Sequence, residues 1–288
     1  MAAALDALTA LQQLGASPVA TPAQLDQLAG WPGWGPLAPA LGPAPDGPWV
    51  TVADQLDGLL TSAERDDACG IVDTSFYTPP RLGARMWGLL AAAGFTGGKV
   101  LDLGCGHGAL MSAAPKDMTI EFTGVDSDRV SARIAALLNP AADIRVGELQ
   151  RMNLVDDHFD AVVANVPFSS AVVFHPGTGG PMPLHNHFLM RAARAVRPGG
   201  YIVAITSRYT LDSTRLAPLD RVSANLVAAL RMPSRLFAES GTDVVADVLV
   251  LQVPAAGTLP TPVAQSHVQV TEPASENAAG SSVSVHQL

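Results

Sequence analysis

The sequence predicts an α/β protein whose mostly parallel sheet is covered by helices on both faces and preceded by a helical N-terminal region. Three observations predict it. Short apolar runs alternate with helical stretches beyond Gly98, a glycine-rich turn follows the first of those runs, and leucines recur at helical spacing near the start of the chain.

Taken in order, Leu5, Leu8, Leu11 and Leu14 mark a first helix, and Thr21-Pro22 has the form of an N-cap and first-turn proline for a second helix running to about Gly30. From Trp31 to Pro48, ten of eighteen residues are Pro or Gly, which predicts an irregular connector without a regular element, plugged onto a core by Trp31 and Trp34. A capped helix starts at Thr61 or Ser62 with Glu64 in its first turn, and a turn at Phe76-Tyr77-Thr78-Pro79-Pro80 precedes a helix over 81–94. The apolar runs KVLDL (99–103), EFTGVD (121–126), ADIRV (142–146), FDAVVAN (159–165) and YIVAIT (201–206) are read as strands of the parallel sheet. VVADVLVLQV (244–253), after Gly241-Thr242, is read as a further strand pairing antiparallel at the sheet edge. This divides the chain into a helical N-terminal region with its Pro/Gly/Trp connector (1–75), a main domain (76–253) and a disordered tail (254–288) rich in Ala, Ser, Pro, Thr and Val. There is no internal repeat.

With 288 residues, 48% of them hydrophobic, the chain has ample material for a core. The run Met1 to Leu14 carries Asp6 and no Lys or Arg, unlike a secretory signal, and no stretch approaches eighteen consecutive apolar residues. A cytoplasmic protein without a membrane partner is expected. Cys69 and Cys105 are too few for a disulfide framework and lack metal-ligand companions at usual spacing. The net charge of -9 argues against nucleic acid, but its distribution argues otherwise. Residues 1–64 hold six acids and no base, and residues 236–288 hold five acids and no base. All 17 basic residues therefore lie between 65 and 235, and residues 191–235 alone hold eight Arg against two Asp. The stretch is either a phosphate-facing surface or a set of solvated helix faces.

VLDLGCGHG (100–108) places Gly104, Gly106 and Gly108 between a strand and a helix, where the backbone can turn tightly and approach a ligand closely. A dinucleotide fingerprint is one reading. S-adenosylmethionine (SAM) is favoured because Asp102 lies inside the strand, where it can face a cationic methionine amino group, and because the loop reads GxGxG and not GxGxxG. Asp126, at the end of the second strand, is placed to accept both ribose hydroxyls, a spacing that also suits NAD.

The fourth strand ends in Asn165-Val166-Pro167-Phe168. This tetrapeptide is similar to the Asn-Pro-Pro-Tyr/Phe signature of methyltransferases that modify planar amino groups, and Phe76-Tyr77-Thr78-Pro79-Pro80 resembles the motif preceding the SAM loop in DNA adenine methyltransferases. The order of the two halves matches the gamma arrangement. The resemblance extends over roughly residues 1–253, where TPAQLDQLAGWPGWG, LTSAERDDA, FYTPPRLGARMW, LHNHFLMRAARAVRPGGYIVAITSRYTLD and MPSRLFAESGTDVVADVLVLQ look like the methylase module of large plasmid- and phage-borne methylase-helicase proteins. It implies a Rossmann-like SAM-dependent methyltransferase fold with a seven-stranded sheet, SAM as cofactor, a flipped adenine in DNA as substrate, a restriction-modification or mobile-element setting, and a helicase or specificity component as partner. It also implies that Tyr77, Thr78 and Glu148 join Asp102, Gly104, Gly106 and Asp126 around the cofactor, although Glu148 also reads as a surface acid.

The tetrapeptide has a physical rationale of its own. An aryl amine is a poor nucleophile because its lone pair is delocalised into the ring, so a site must draw the nitrogen toward tetrahedral geometry. The Asn165 side-chain oxygen and the Val166 backbone carbonyl can each accept one amine hydrogen, while Phe168 stacks on the base. Proline is usual where Val166 stands, yet the acceptor is a backbone carbonyl that valine also supplies, and Pro167 still holds its predecessor extended. Neither cysteine follows a proline in the loop that cytosine carbon-5 methylation requires.

Ser207, Arg208 and Tyr209 follow the fifth strand on the carboxyl edge of the sheet, and two or three of Arg208, Arg215, Arg221, Arg231 and Arg235 are expected to reach phosphate, Arg208 and Arg215 first. His185 and His187, two apart on a helix, point to different faces and are not expected to hold metal. Adenine N6 methylation in DNA is thus the leading function. Methylation of a protein glutamine or an RNA guanine amino group is a second, and a catalytically silent SAM-binding module working with a helicase is a third.

Overall fold

Helix α1 (Ala2–Leu14) turns the leucine spacing into a buried face of Ala4, Ala7, Leu8 and Leu11. Helix α2 (Pro22–Ala29) opens on Thr21, whose side chain accepts from the Gln24 amide while the Gln24 side chain accepts from the Thr21 amide. The structure, a computed structural model, describes residues 1–72, 77–168, 171–174, 181–212, 222–232 and 245–260. The sequence-predicted tail beyond 260 and the residues Phe76, Arg215, Arg221, Arg235 and Gly241-Thr242 lie outside them.

The connector is more regular than its composition predicts. It holds a 3-10 turn over Gly35–Leu37 and a short helix α3 (Ala38–Leu41), and α4 (Pro48–Leu59), which sequence reading did not anticipate, starts on the last of its prolines. Each of the three has proline in its first turn, where a fixed φ suits the helix and no amide hydrogen bond is lost. Helix α5 (Ser62–Ile71) carries the expected cap, with Thr61 and Glu64 bonding reciprocally. Helix α6 (Pro80–Ala92) leads into the sheet domain.

That domain runs β1 (Gly98–Leu103), α7 (Ala109–Ser112), β2 (Ile120–Asp126), α8 (Arg129–Leu138), β3 (Asp143–Val146) and β4 (Phe159–Asn165). A small hairpin, β5 (Val172–Val173) and β6 (Met182–Pro183), then precedes α9 (Leu184–Ala195), β7 (Val196–Ser207), α10 (Tyr209–Asp212), β8 (Asn225–Arg231) and β9 (Ala246–Gln252). The sheet has seven strands in the order β3-β2-β1-β4-β7-β9-β8, parallel from β3 to β7. β9 runs antiparallel to β7, and β8 antiparallel to β9.

Alternate residues of the central strands feed two cores. Val100, Ala161, Val163 and Val203 pack with Leu82, Met86 and Trp87 of α6, while Leu101, Val162, Ala164 and Ile202 pack with Leu189 and Ala192 of α9. Strands buried on both faces explain why these runs are apolar throughout.

One expectation is corrected here. The strand expected at the edge lies inside it, because Asn225–Arg231, which carried no strand signal against its arginine-rich surroundings, forms the edge instead. Arg231, one of the five arginines weighed for phosphate contact, is engaged within the protein. Its side chain is 14% exposed and bonds Asp247, which is fully buried, at 3.0 Å and Asp212 at 2.6 Å. Among the described residues no helix is long and apolar enough to cross a membrane.

The N-terminal helices share a core with the sheet domain, in which Leu8, Leu28, Trp31, Trp34 and Leu56 meet Val130 and Ile134 of α8. The two tryptophans stack edge to face at 4.9 Å, and each indole N–H reaches across to α8 or its cap. Trp34 Nε1 donates to Asp128 Oδ2 at 2.8 Å, and Trp31 Nε1 donates to Ser131 Oγ at 3.1 Å. Asp128 is also the α8 N-cap, accepting from the Val130 and Ser131 amides and from the Ser131 hydroxyl. Trp34→Phe keeps a ring in place and removes the donor to this buried carboxylate, so it is expected to cost about 1.5 to 3 kcal/mol. Urea unfolding monitored by circular dichroism checks this, with a lowered midpoint at unchanged slope as the expected result.

Candidate active site

The site lies at the carboxyl ends of β1 and β4, where successive connections leave on opposite faces of the sheet and a crevice opens. After Leu103 the chain turns through Gly104, Gly106 and Gly108, all with positive φ (73°, 53° and 85°), and the Gly104 and Cys105 amides both bond the Val125 carbonyl. At Gly106 a side chain is opposed for a second reason, since a Cβ there would stand 2.3 Å from the Tyr77 ring.

Asp126 holds this loop in place. Its Oδ2 accepts from the Gly106 amide at 2.7 Å and its Oδ1 from the Asp128 amide at 2.9 Å, while its backbone carbonyl accepts from Gly147. Burial pushes its carboxyl up to about 6. Asp102 sits beside it, fully buried, with neither carboxylate oxygen hydrogen-bonded among the described residues. Burial, and then the neighbouring Asp126, pushes its carboxyl well up. An acid so placed calls for a cation.

One pocket gathers most of the sequence-predicted residues. Tyr77, Thr78, Asp102, Gly104, Gly106, Asp126, Glu148, Asn165 and Pro167 all line it. Others take different places. Val166 turns its side chain into the α9 core, 2% exposed, and its amide donates to Ile205 O at 3.0 Å, a bond that proline could not make. Phe168 packs against both apolar cores and is not part of the pocket wall. Arg208 is half exposed, 4.0 Å from Asp212 and 5.3 Å from the Tyr209 ring centroid. Glu148, at the rim, pairs with Arg151 at 3.1 Å.

Tyr77 lines the pocket with its ring only. Its hydroxyl lies 2.6 Å from Ser131 Oγ and accepts from Trp31 Nε1 at 3.3 Å, and burial pushes its phenol up. The ring is held between Gly106 and Gly33, at both of which a Cβ would collide with it, and lies 4.7 Å from the His107 ring. Burial lowers His107 to about 4, so it is neutral at pH 7. Sequence reading missed the apolar wall opposite the loop. Leu184 and Phe188 of α9 line the pocket, and a Cβ on Gly104 would stand 3.6 Å from the Phe188 ring. Their i, i+4 spacing was a legible signal, obscured by the intervening histidines.

A glycine cradle, a buried acid lacking a partner and a second acid at the end of the next strand fit a cationic nucleoside with a ribose. Residues 101–204 match the family model described as methyltransferase domain. Over 94% of this chain and 91% of the other, the structure superimposes with a TM-score of 0.57 and 14% identity on a putative class I SAM-dependent methyltransferase from Listeria monocytogenes. This chain carries a class I SAM-dependent methyltransferase fold. Its cofactor is SAM. The methyltransferase subunit of a type I restriction-modification system from Streptococcus thermophilus superimposes with a TM-score of 0.53 at 15% identity, over 75% of this chain and 56% of that one. Among curated proteins, Defense against restriction protein B of Escherichia phage P1 is 25% identical over 70% of this chain and 9% of its own length. An rRNA N(6)-adenosine-methyltransferase of Caenorhabditis elegans is 30% identical over 41% of this chain and 56% of its own. The chain thus spans a small part of the first relative and about half of the second.

SAM binding is expected to depend on pH with a defined sign. A ribose diol and a cationic ligand both favour ionised Asp126, so with its carboxyl near 6 affinity should fall about tenfold from pH 7 to pH 5, and Asp102 adds a dependence of the same sign. Calorimetric titration across that range tests this. Asp126→Ala should weaken binding by about 1.5 to 3 kcal/mol at pH 7 and flatten the profile.

Proposed function

We propose that this methyltransferase transfers the SAM methyl group to the 6-amino group of an adenine flipped out of DNA. The observation that supports the reading is that Asn165 and Pro167 line the same pocket as Asp102 and Asp126. Bound SAM supplies an electrophilic methyl on its sulfonium. The chain's part is to bind, orient and exclude water. Asn165 is held by the pairing of β4 with β7, where it lies opposite Ile205, and the next amide bonds the carbonyl of that same Ile205. Its side-chain oxygen and the Val166 carbonyl each take one amine hydrogen, turning the nitrogen lone pair toward the methyl. The N–C bond would form as the methyl–sulfur bond breaks, the sulfur leaving as a neutral thioether, and the surplus amine proton would pass to solvent with no strong general base needed.

Phe168 contributes from the core side, fixing the loop that presents Asn165, and apolar Leu184 and Phe188 give the base a dry wall. The likeness to a phage protein named for defense against restriction, and to a restriction-modification subunit, supports DNA and a multi-component setting; a helicase or specificity component as partner is part of the proposal. A second reading, an adenine amino group in RNA, is favoured by the likeness to the rRNA N(6)-adenosine-methyltransferase. Arg208 and Arg215 stay candidates for phosphate contact, the former with its charge shared with Asp212.

The test is incubation with methyl-labelled SAM and, separately, duplex DNA, single-stranded DNA, RNA and extracted protein. Label recovered as N6-methyladenine in DNA is the expected outcome. Label confined to RNA would establish the second reading, and no transfer despite SAM binding would mean a module that needs its partner or is silent. Asn165→Ala should lower the transfer rate by about 2 to 4 kcal/mol of transition-state stabilisation while SAM affinity barely changes.

A further inference from the structure

Most arginines outside residues 191–235 have an evident structural occupation. Arg65 pairs with Asp57, Arg129 with Asp67, Arg145 with Asp143 and Arg151 with Glu148, while Arg133 bonds the Gly15 carbonyl. Arg81 and Arg85 of α6 differ. Both are exposed, and neither forms an ion pair or hydrogen bond among the described residues.

Their placement makes the lack of a partner costly. Four apart on one helix, they lie on one face with Cβ atoms about 5–6 Å apart, where like charges repel. The first turn of α6 holds no acid, and a cation there also faces the positive end of the helix dipole. Each term is modest at a solvated surface, and the first turn supplies no acid to offset it. The adjoining face of the helix is fixed: Leu82 and Met86 are buried in the apolar core against which Phe168 also packs. Thr78, three residues before Arg81, lines the pocket. A Cβ on Gly83, between the two arginines, would touch Ala113 at 2.9 Å and stand 3.6 Å from Leu110, itself a pocket residue. The pair therefore faces solvent from a rigid helix whose first turns border the pocket.

We propose that Arg81 and Arg85 form a phosphate-contact surface that seats the DNA backbone beside the pocket. The inference rests on the reading of the chain as a DNA methyltransferase and deepens it by adding α6 to the candidate electrostatic footprint. A polyanion relieves the repulsion between the two guanidinium groups, and two long side chains on adjacent turns can each reach one phosphate. Such contacts position the duplex and carry no sequence information.

The test measures the equilibrium binding of a labelled duplex, and of an RNA of equal length, to the full chain with SAM present, across a series of salt concentrations. Three variants are compared with wild type: Arg81→Gln with Arg85→Gln, each change alone, and Lys99→Gln at the opposite end of β1. Circular dichroism and SAM affinity report that the fold and cofactor site are intact. The double change is expected to lower the steepness of log K against log salt by about two, near 0.9 for each phosphate contact, for any duplex sequence, with about half of that for each single change and none for Lys99→Gln. A salt dependence unaltered by the double change, or lowered equally by Lys99→Gln, overturns the inference and leaves the DNA reading standing. Failure of wild type to bind any duplex at low salt overturns that reading, and this inference with it. Loss confined to the RNA arm overturns the assignment to DNA.

Discussion

Three carboxylates crowd the carboxyl ends of β1 and β2, and the arrangement around them follows from how each is compensated. Burying a carboxylate without donors costs several kcal/mol. Asp128 is compensated by protein alone, through two backbone amides, the Ser131 hydroxyl and the Trp34 indole. Asp126 takes two amides and retains lone pairs toward the pocket. Asp102 takes no hydrogen bond among the described residues. Compensation thus declines from the helical lobe toward the pocket, and the carboxyl left with no hydrogen bond among the described residues is one that lines the pocket.

The same gradient explains why the N-terminal helices belong to the chemistry. Tyr77 carries the connection: its hydroxyl belongs to the Trp31–Ser131 cluster and its ring bears on the glycine loop. An aromatic that resembled a cofactor contact in sequence is, in the structure, a spacer between two lobes that also forms part of the pocket wall.

Much of this was legible beforehand. Runs such as FDAVVAN were read to their observed bounds because a strand buried on both faces leaves a continuous apolar signature, and Thr61 with Glu64 announced a helix start through side-chain chemistry alone. Asp102, Gly104, Gly106, Asp126 and Asn165, which line one pocket, stand out in the sequence because they are odd for their elements: an acid inside an apolar strand, glycines where a helix should begin, an acid and an amide at strand ends. The misses share a cause. Asn225–Arg231 is an edge strand with one partner, so it needs no continuous apolar run, and Pro36, Pro39 and Pro48 mark helix starts as readily as breaks. Counting arginines by segment pointed to 191–235, whereas the paired state of Arg231 is visible only once Asp247 lies across the ladder from it.

The edge-to-face tryptophans bear on how the chain can be divided. Cutting at residue 76 follows a plausible boundary in the sequence, yet it would strip Asp128 of its indole donor, remove Trp31 from Ser131 and bare Val130 and Ile134 on α8. The helix so exposed follows directly on Asp126. A fragment that begins at that cut would lose the contacts that steady the helix after the Asp126 loop, so the boundary visible in the sequence is not a boundary in the packing.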